Sequence, residues 1–405
     1  MDRVISMEIR KLGPVDHANI VFDKYTVLIG KQGSGKSTIA KLFSLFTWLE
    51  KSLVRHILSP KYIMQYSRFR NNYCEFHKIS SYFKPDSFIC YNGAHYVFTY
   101  DNEKFNIVAK DENEDFNVSK VMYVPAERNF LSATDNSFTL KGLSPAVQTF
   151  LVEFDKAKMA FKNGYDIPIN GVSFEYDALN KISWIRGDGY KVRLSESSSG
   201  FQSVLPLMLV SRYLSEIVSG SFGKEELSQK ELDLIHKEIE KIMGDDSLND
   251  EVKYAMAKQL SSRFSYSNFV NIVEEVEQNL YPESQKDTLF ELLRYTNETD
   301  SNRLLLTTHS PYIISYFTIA VKAWQLTQNL SDDRLLERIY SIVPKHSMVS
   351  NDNLRIYELK EGTATPLGTE YGMPSDDNVL NNNLAVTNEM MDALFEIEEE
   401  CGDEK

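Results

Sequence analysis

The sequence predicts an α/β fold organised around a phosphate-binding loop, and three observations predict it. Gly30-Lys31-Gln32-Gly33-Ser34-Gly35-Lys36-Ser37 fits the pattern G-x-x-x-x-G-K-[ST]. Tyr25 to Ile29, just before it, is a short apolar run of strand length. Ser37 to Leu49, just after it, reads as a helix. The pattern arises by chance in about one chain in a hundred of this size, so a match with both flanks correct is read as a nucleotide site.

The elements follow in order. Val4 to Ile9 and His17 to Phe22 alternate as strands ahead of Tyr25 to Ile29. In the loop, Gly30, Gly33 and Gly35 let the backbone bend so that successive N–H groups face one anion. Gln32, Ser34 and Thr38 complete the cradle, and the helix N-terminus adds its positive end. Lys36 is expected to reach the β- and γ-phosphates of ATP, and Ser37 to offer its hydroxyl to Mg²⁺. The helix carries Ile39, Ala40, Leu42, Phe43, Leu45, Phe46, Trp48 and Leu49, apolar all round, which predicts burial between a sheet and another layer.

Residues 51–84 change character. Lys51, Arg55, Lys61, Arg68, Arg70, Lys78 and Lys84 interleave with Tyr62, Tyr66, Phe69, Tyr73, Phe76, Tyr82 and Phe83. Such a stretch either grips nucleic acid, cations on phosphate and rings on bases, or is a helical insertion whose rings pack on the body while lysines and arginines snorkel. The second reading is preferred. Phe88 to Tyr91 and His95 to Tyr100 form a hairpin around Asn92-Gly93, and Val118 to Val124 a strand ended by Pro125. Residues 131–195 are mixed, with turns at Asn163-Gly164, Asn170-Gly171 and Gly187-Asp188-Gly189. Phe201 to Ile217 is an apolar helix bent at Pro206. Residues 228–262 read as a helical hairpin. Ser228 and Glu231 have capping-box spacing, Leu232, Ile235, Ile239 and Ile242 follow at helical steps, and Gly244 ends the run. It is either a docking arm or a satellite layer. Phe269 to Val273 and Leu304 to Thr308 are strands, Ser284 to Tyr295 a helix, and Leu354 to Leu359 a late strand. Asn381-Asn382-Asn383 reads as a loop. The end of the chain is acidic (Glu396, Glu398, Glu399, Glu400, Asp403, Glu404), either a solvated, frayed terminus or a docking peptide for a basic partner.

Composition bounds these readings. The 405 residues are 42% hydrophobic and 25% charged, enough for a large core. We expect one domain, 1–405, with insertions at 51–84 and 228–262, completed by residues 316–405. No apolar run reaches transmembrane length and no secretory leader is evident, so no membrane partner is expected. Cys74, Cys90 and Cys401 are too scattered for a disulfide framework or a Cys-based zinc site, which fits free thiols in a reducing cytoplasm. A formal charge of −14 repels nucleic acid at long range, so any DNA contact needs a local basic patch.

Three later segments resemble the rest of a nucleotide site. Leu194-Ser195-Glu196-Ser197-Ser198-Ser199-Gly200-Phe201-Gln202-Ser203 precedes an apolar helix and reads as a second anion site or a plain serine-rich cap. Glu274 and Glu275 end a buried strand, which is costly unless they act or the strand runs out into solvent. Beside a phosphate loop, Glu274 would hold Mg²⁺ and Glu275 would orient and polarise the attacking water. His309, after Leu304 to Thr308 and before Ser310-Pro311, either reaches the γ-phosphate or is a solvated loop residue.

The order loop, serine-rich segment, Glu-Glu strand, histidine strand resembles the ABC-type ATPase heads, in the OLD, RecF and SMC-like branch, over most of residues 1–320. Gly30 to Ser37 matches Walker A, and Ser198-Ser199-Gly200-Phe201-Gln202 looks like the signature motif. Glu274-Glu275 matches Walker B with its catalytic glutamate, Glu277 to Pro282 the D-loop, and His309 the switch histidine. Glu127, within Tyr123-Val124-Pro125-Ala126-Glu127-Arg128, stands where RecF-like heads place the Q-loop. Ser199 and Phe201 depart from the usual Gly and Gln, Glu274 from the usual Asp, and Val276 from Pro. The signature and the Thr-Thr-His-Ser-Pro switch are similar to ATPases of anti-phage systems such as Septu, its retron-associated relatives, Gabija and PARIS. The resemblance implies a mixed-sheet P-loop head that binds and slowly hydrolyses ATP with Mg²⁺. It also implies a homodimer or larger homo-oligomer, with Ser198, Ser199 and Gly200 of one copy across the nucleotide from Lys36 and Ser37 of the other. Too little chain follows Ser315 for a nuclease domain, so a separate nuclease or toxin effector is expected. A RecF-like repair ATPase acting on DNA and a non-hydrolysing nucleotide sensor are the alternatives.

Overall fold

The computed structural model describes residues 4–110, 118–135, 140–221, 227–244, 251–253, 256–257, 260 and 264–403. Most of the second arm of the 228–262 hairpin, and Glu404, lie outside them. The chain begins β1 (Ile5–Leu12), β2 (Val15–Phe22), β3 (Tyr25–Gly30), α1 (Lys36–Val54) and α2 (Pro60–Met64). Three antiparallel strands follow, β4 (Phe83–Asn92), β5 (Tyr96–Asp101) and β6 (Lys104–Ala109), and then β7 (Ser119–Val124). α3 (Pro145–Ala160) leads into a small sheet of β8 (Tyr165–Asp166), β9 (Ser173–Asp177), β10 (Ile182–Gly187) and β11 (Tyr190–Arg193). Next come α4 (Ser199–Ser219), α5 (Gln229–Met243), β12 (Asn268–Val273), α6 (Pro282–Asn297), β13 (Arg303–Thr308), α7 (Pro311–Gln328) and α8 (Asp333–Tyr340). β14 (Leu354–Lys360), β15 (Thr363–Pro366) and α9 (Val379–Asp403) end the chain.

The large sheet is mixed, with eleven strands in the order β6-β5-β4-β1-β2-β15-β14-β3-β13-β12-β7. β14, β3, β13, β12 and β7 run parallel to one another, as expected where both faces are covered. All six residues of β3 are buried. Val27 and Ile29 face a core shared with α3, α4, α6 and α7, whereas Leu28 faces the core around α1. This two-sided burial is why β3 reads as a continuous apolar run. Its two neighbours, β13 and β14, come from far along the chain and complete the sheet on either side.

The 51–84 segment packs two of its phenylalanine rings, Phe69 and Phe83, inward. Phe69 is buried and stacks on Phe105 at 3.8 Å between centroids. Arg55, one of the basic residues of the stretch, is buried too. Its guanidinium pairs with Glu231 at 2.6 Å and donates to the Phe264 carbonyl, tying the end of α1 to the base of the α5 arm. At the outer surface, Arg68 covers the Tyr62 ring at 3.9 Å and Tyr66 stands exposed. The α5 arm starts with the capping box of Ser228 and Glu231, ends at Gly244, and buries none of its residues.

The end of the chain differs from the expectation. Asn381-Asn382-Asn383 is helical, not a loop, and the acidic residues through Asp403 continue that helix instead of fraying. The Asn378 side chain supplies the missing start signal, its Oδ1 accepting from the N–H groups of Leu380 and Asn381. Among the described residues, no helix is long and apolar enough to cross a membrane.

Candidate functional site

The parallel strands β3, β13 and β12 lie side by side, and each delivers part of the site at its carboxyl end. β3 runs into the Gly30–Gly35 loop. A Cβ on Gly30 would stand 2.4 Å from the Leu359 carbonyl oxygen, and one on Gly35 would stand 2.6 Å from Val15 Cγ2. Both residues also hold positive φ, 144° and 105°. Close approach and backbone angle therefore require glycine at both places. Lys36 folds back over the loop, its ammonium donating to the carbonyls of Gly30 at 2.7 Å and Lys31 at 2.9 Å. Burial pushes its pKa down to about 8, against the opposing pull of Glu277, Glu275 and Glu274. Gln32, Gly33 and Ser37 are exposed at the loop surface, whereas Thr38 is buried behind it. Ser34 Oγ is buried without a partner.

β12 delivers the carboxylates. Glu274 is buried and hydrogen-bonds both Ser37 and Tyr123, while its Oε1 has no partner. Burial raises its pKa, opposed by Lys41 and by those two hydrogen bonds. Glu275 turns outward through a left-handed backbone, φ 46°, unusual for a residue with a Cβ. Its N–H donates to Thr307 Oγ1 at 3.0 Å. β13 delivers His309, whose Nε2 lies 3.8 Å from Glu275 Oε1 and whose Nδ1 lies 3.4 Å from the Lys36 ammonium. Burial first, and then Lys36, lower the His309 pKa, so the ring is neutral at neutral pH and one nitrogen can accept.

Two further residues shape this cluster. Glu277 accepts from the His309 N–H at 2.6 Å and leaves its other oxygen unpartnered. Arg128 is fully buried, and its guanidinium donates to four carbonyls: Pro125 at 3.3 Å, Ser203 at 3.1 Å, Glu274 at 2.6 Å and Glu275 at 2.7 Å. Burial lowers its pKa to about 10, still charged at neutral pH. In the sequence both residues lie within motifs that give neither of them a role. The one signal for Arg128 is its place directly after a strand-ending Pro-Ala-Glu.

Glu127 is exposed on the short 3₁₀ helix Ala126–Ser132, and lines an opening shared with Lys41, Tyr123 and Gln278. The serine-rich segment sits elsewhere. Ser198 is the N-cap of α4 without a side-chain cap bond, Ser199 is its first residue, and a Cβ on Gly200 would meet the Asn279 carbonyl at 3.0 Å. Gln202 reaches back to the carbonyls of Leu194, Ser195 and Ser197, fixing the loop so that the α4 N-terminus and its hydroxyls face outward as a group. So Gly30 to Thr38, Glu274, Glu275 and His309 converge, Glu127 stands at the rim, and Ser198 to Gly200 form a separate site-like edge.

The donor set fits a magnesium nucleotide. Ser37 and a carboxylate with a free buried oxygen suit a hard cation, and an anion would relieve the loop's unpartnered Ser34 hydroxyl and draw Lys36 off the loop carbonyls.

No family model matches the sequence, and no curated protein matches it. Among solved structures the chain is similar to an SMC head bound to the C-terminal winged-helix domain of ScpA (10% identity, covering 91% of this chain and 98% of that one, TM-score 0.39). It is also similar to the SMC head domain from Thermotoga maritima (11%, 91% and 99%, 0.36) and to the recombination mediator RecF (9%, 90% and 98%, 0.30). At TM-scores below 0.5 these likenesses carry no functional weight, and the chemistry of the site stands on its own residues.

Proposed function

We propose that this chain is an ABC-type ATPase head that binds Mg²⁺·ATP and hydrolyses it slowly as a conformational switch. One observation carries the reading: Lys36, Glu275 and His309 come from three adjacent parallel strand ends and meet through contacts of 3.4 and 3.8 Å. Gly30 to Thr38 would cradle the phosphates, Ser37 and Glu274 would hold the metal, and the metal would neutralise charge on the transferred group. Glu275 would orient the attacking water and take its proton, and His309 would reach the γ-phosphate. The exposed α4 N-terminus with Ser198, Ser199 and Gly200 supports a second copy closing over the nucleotide, which ties dimer geometry to nucleotide state.

The finer reading is a switch subunit of an anti-phage system that restrains a separate nuclease or toxin effector. The serine-rich signature and the Thr-Thr-His-Ser-Pro segment support it, and the exposed α5 arm offers a surface for such a partner. The test is purification of the untagged chain with its genomic neighbours, followed by ATP turnover on whatever elutes. A stoichiometric nuclease or toxin is the expected result. A lone oligomer whose hydrolysis rises with DNA would replace it with the repair reading, and no Mg²⁺-dependent turnover in either form would overturn the ATPase.

A further inference from the structure

The last helix, α9, leaves the body of the molecule. Its first turn is rooted there. The Val379 N–H donates to Glu358 Oε2 at 2.9 Å, the Asn378 side chain caps the turn, and Leu380 is buried. Beyond it every described side chain from Asn382 to Glu398 is exposed, so the helix runs on by itself for about 25 Å. Packing supplies most of the stability of helices in proteins, and this stretch has none from its own head.

The residues of the stretch are sorted by side. Leu384, Met391 and Phe395 share one row and Met390, Leu394 and Ile397 the next, all six more than half exposed. At about 100° per residue the two rows fill roughly half of the circumference. Glu389, Asp392 and Glu396 stand on the opposite side, and Glu398 alone among the described carboxylates falls within the apolar arc. With roughly 100 Å² exposed on each of the six side chains, a pair of such helices could cover about 1,200 Å², the size at which specific interfaces begin.

Charge decides what covers this face. Residues 361–404 hold twelve Asp and Glu and no Lys, Arg or His, a formal charge of −12 against −14 for the whole chain. Nucleic acid and anionic lipid are therefore repelled. A basic partner would bury the apolar arc while Glu389, Asp392 and Glu396 point away from it. A second α9, related by a two-fold axis, meets apolar rows with apolar rows and leaves those three carboxylates in water on both copies. We propose that α9 is a self-association helix whose apolar face is covered by α9 of a second copy, in a contact that needs no nucleotide. The contact does not rest on the closing of two heads over ATP.

The test is sedimentation equilibrium of the full chain without nucleotide. We expect reversible association with a dissociation constant on the order of 10 µM. It should tighten as salt rises from about 0.1 to about 1 M, because screening weakens the repulsion between acidic helices while the apolar contact remains. Lys36→Ala should associate as the wild type does, which separates this contact from the nucleotide sandwich. Phe395→Glu should weaken association at least about 100-fold and leave the urea midpoint of the monomer unchanged. Glu398→Gln, which removes the carboxylate inside the arc, should tighten it. A chain that is monomeric up to ~1 mM, or association that Phe395→Glu leaves unchanged, overturns the proposal. Association that loosens as salt rises also overturns it, by making α9 the ligand of a basic surface. A monomer whose α9 amides resist hydrogen exchange overturns it too, by placing the helix back on its own head.

Discussion

Arg128 Nη1 donates to the main-chain carbonyl of Glu274 at 2.6 Å, although the two residues are 146 positions apart. The same guanidinium holds Glu275 and, through Nε, the Ser203 carbonyl in α4. One cation thus fixes the direction in which both carboxylates leave β12 and joins that strand end to the serine-rich helix. Arg128→Ala would leave buried carbonyls unpaired at a cost of about 3 kcal/mol or more, read by urea unfolding. Arg128→Lys should recover part of that stability but not turnover, since one ammonium cannot span four acceptors. Equal recovery of both would make Arg128 a packing residue only.

Glu275→Gln should bind ATP and retain it, because the amide keeps its shape but takes no proton. The check is turnover alongside nucleotide content after desalting, with turnover expected to fall about 100-fold or more. His309→Ala should lower turnover more than affinity. An equal loss of both would recast His309 as a binding group.

Lys36→Ala should abolish ATP binding measured by calorimetry. The folded state should survive, since the ammonium's present partners are two loop carbonyls and the His309 ring, which solvent can reach once the side chain is gone. Wild-type affinity in this variant would refute the loop as the nucleotide site.

His77 sets a pH slope. Its folded pKa, about 3, lies below the unfolded value of about 6.5. The unfolded chain therefore binds more protons below pH 6.5, and stability is lost as pH falls from 6.5 toward 3. Above 6.5 the group contributes no slope. The loss is about 2 kcal/mol at pH 5. His77→Gln should flatten the difference between unfolding curves at pH 7 and pH 5 by that amount. An unchanged difference would mean that His77 is reached by solvent.

Local chemistry explains how much could be read without coordinates. The Gly-rich loop, the apolar run of β3 and the Ser228–Glu231 cap depend on residues within a few positions of one another, and each was legible. Arg128 was legible only as an arginine after a strand, because its carbonyl partners lie up to 147 positions away and carry no side-chain signature. The small sheet of β8 to β11 was hidden because its strands are short and only partly buried, so their alternation is weak. The three asparagines of α9 misled because their intrinsic preference is for turns, and Asn378 overrides it from outside the run. At the site, spacing named the groups, but only the fold could show that Glu277 and Thr307 steer His309 and Glu275.

The strand that carries the phosphate loop has consequences for synthesis. β3 leaves the ribosome early, yet it hydrogen-bonds β13 and β14 on its two edges, and Lys36 meets His309 across 273 positions of chain. Until those late strands emerge, the loop's strand is an apolar edge with no neighbours, open to wrong pairing. A nascent chain halted before Arg303 should therefore bind no nucleotide, and release of the remaining residues should bring site and stability together. On the nucleotide reading proposed above, bound ATP would stabilise molecules whose late strands have paired over those that lack them.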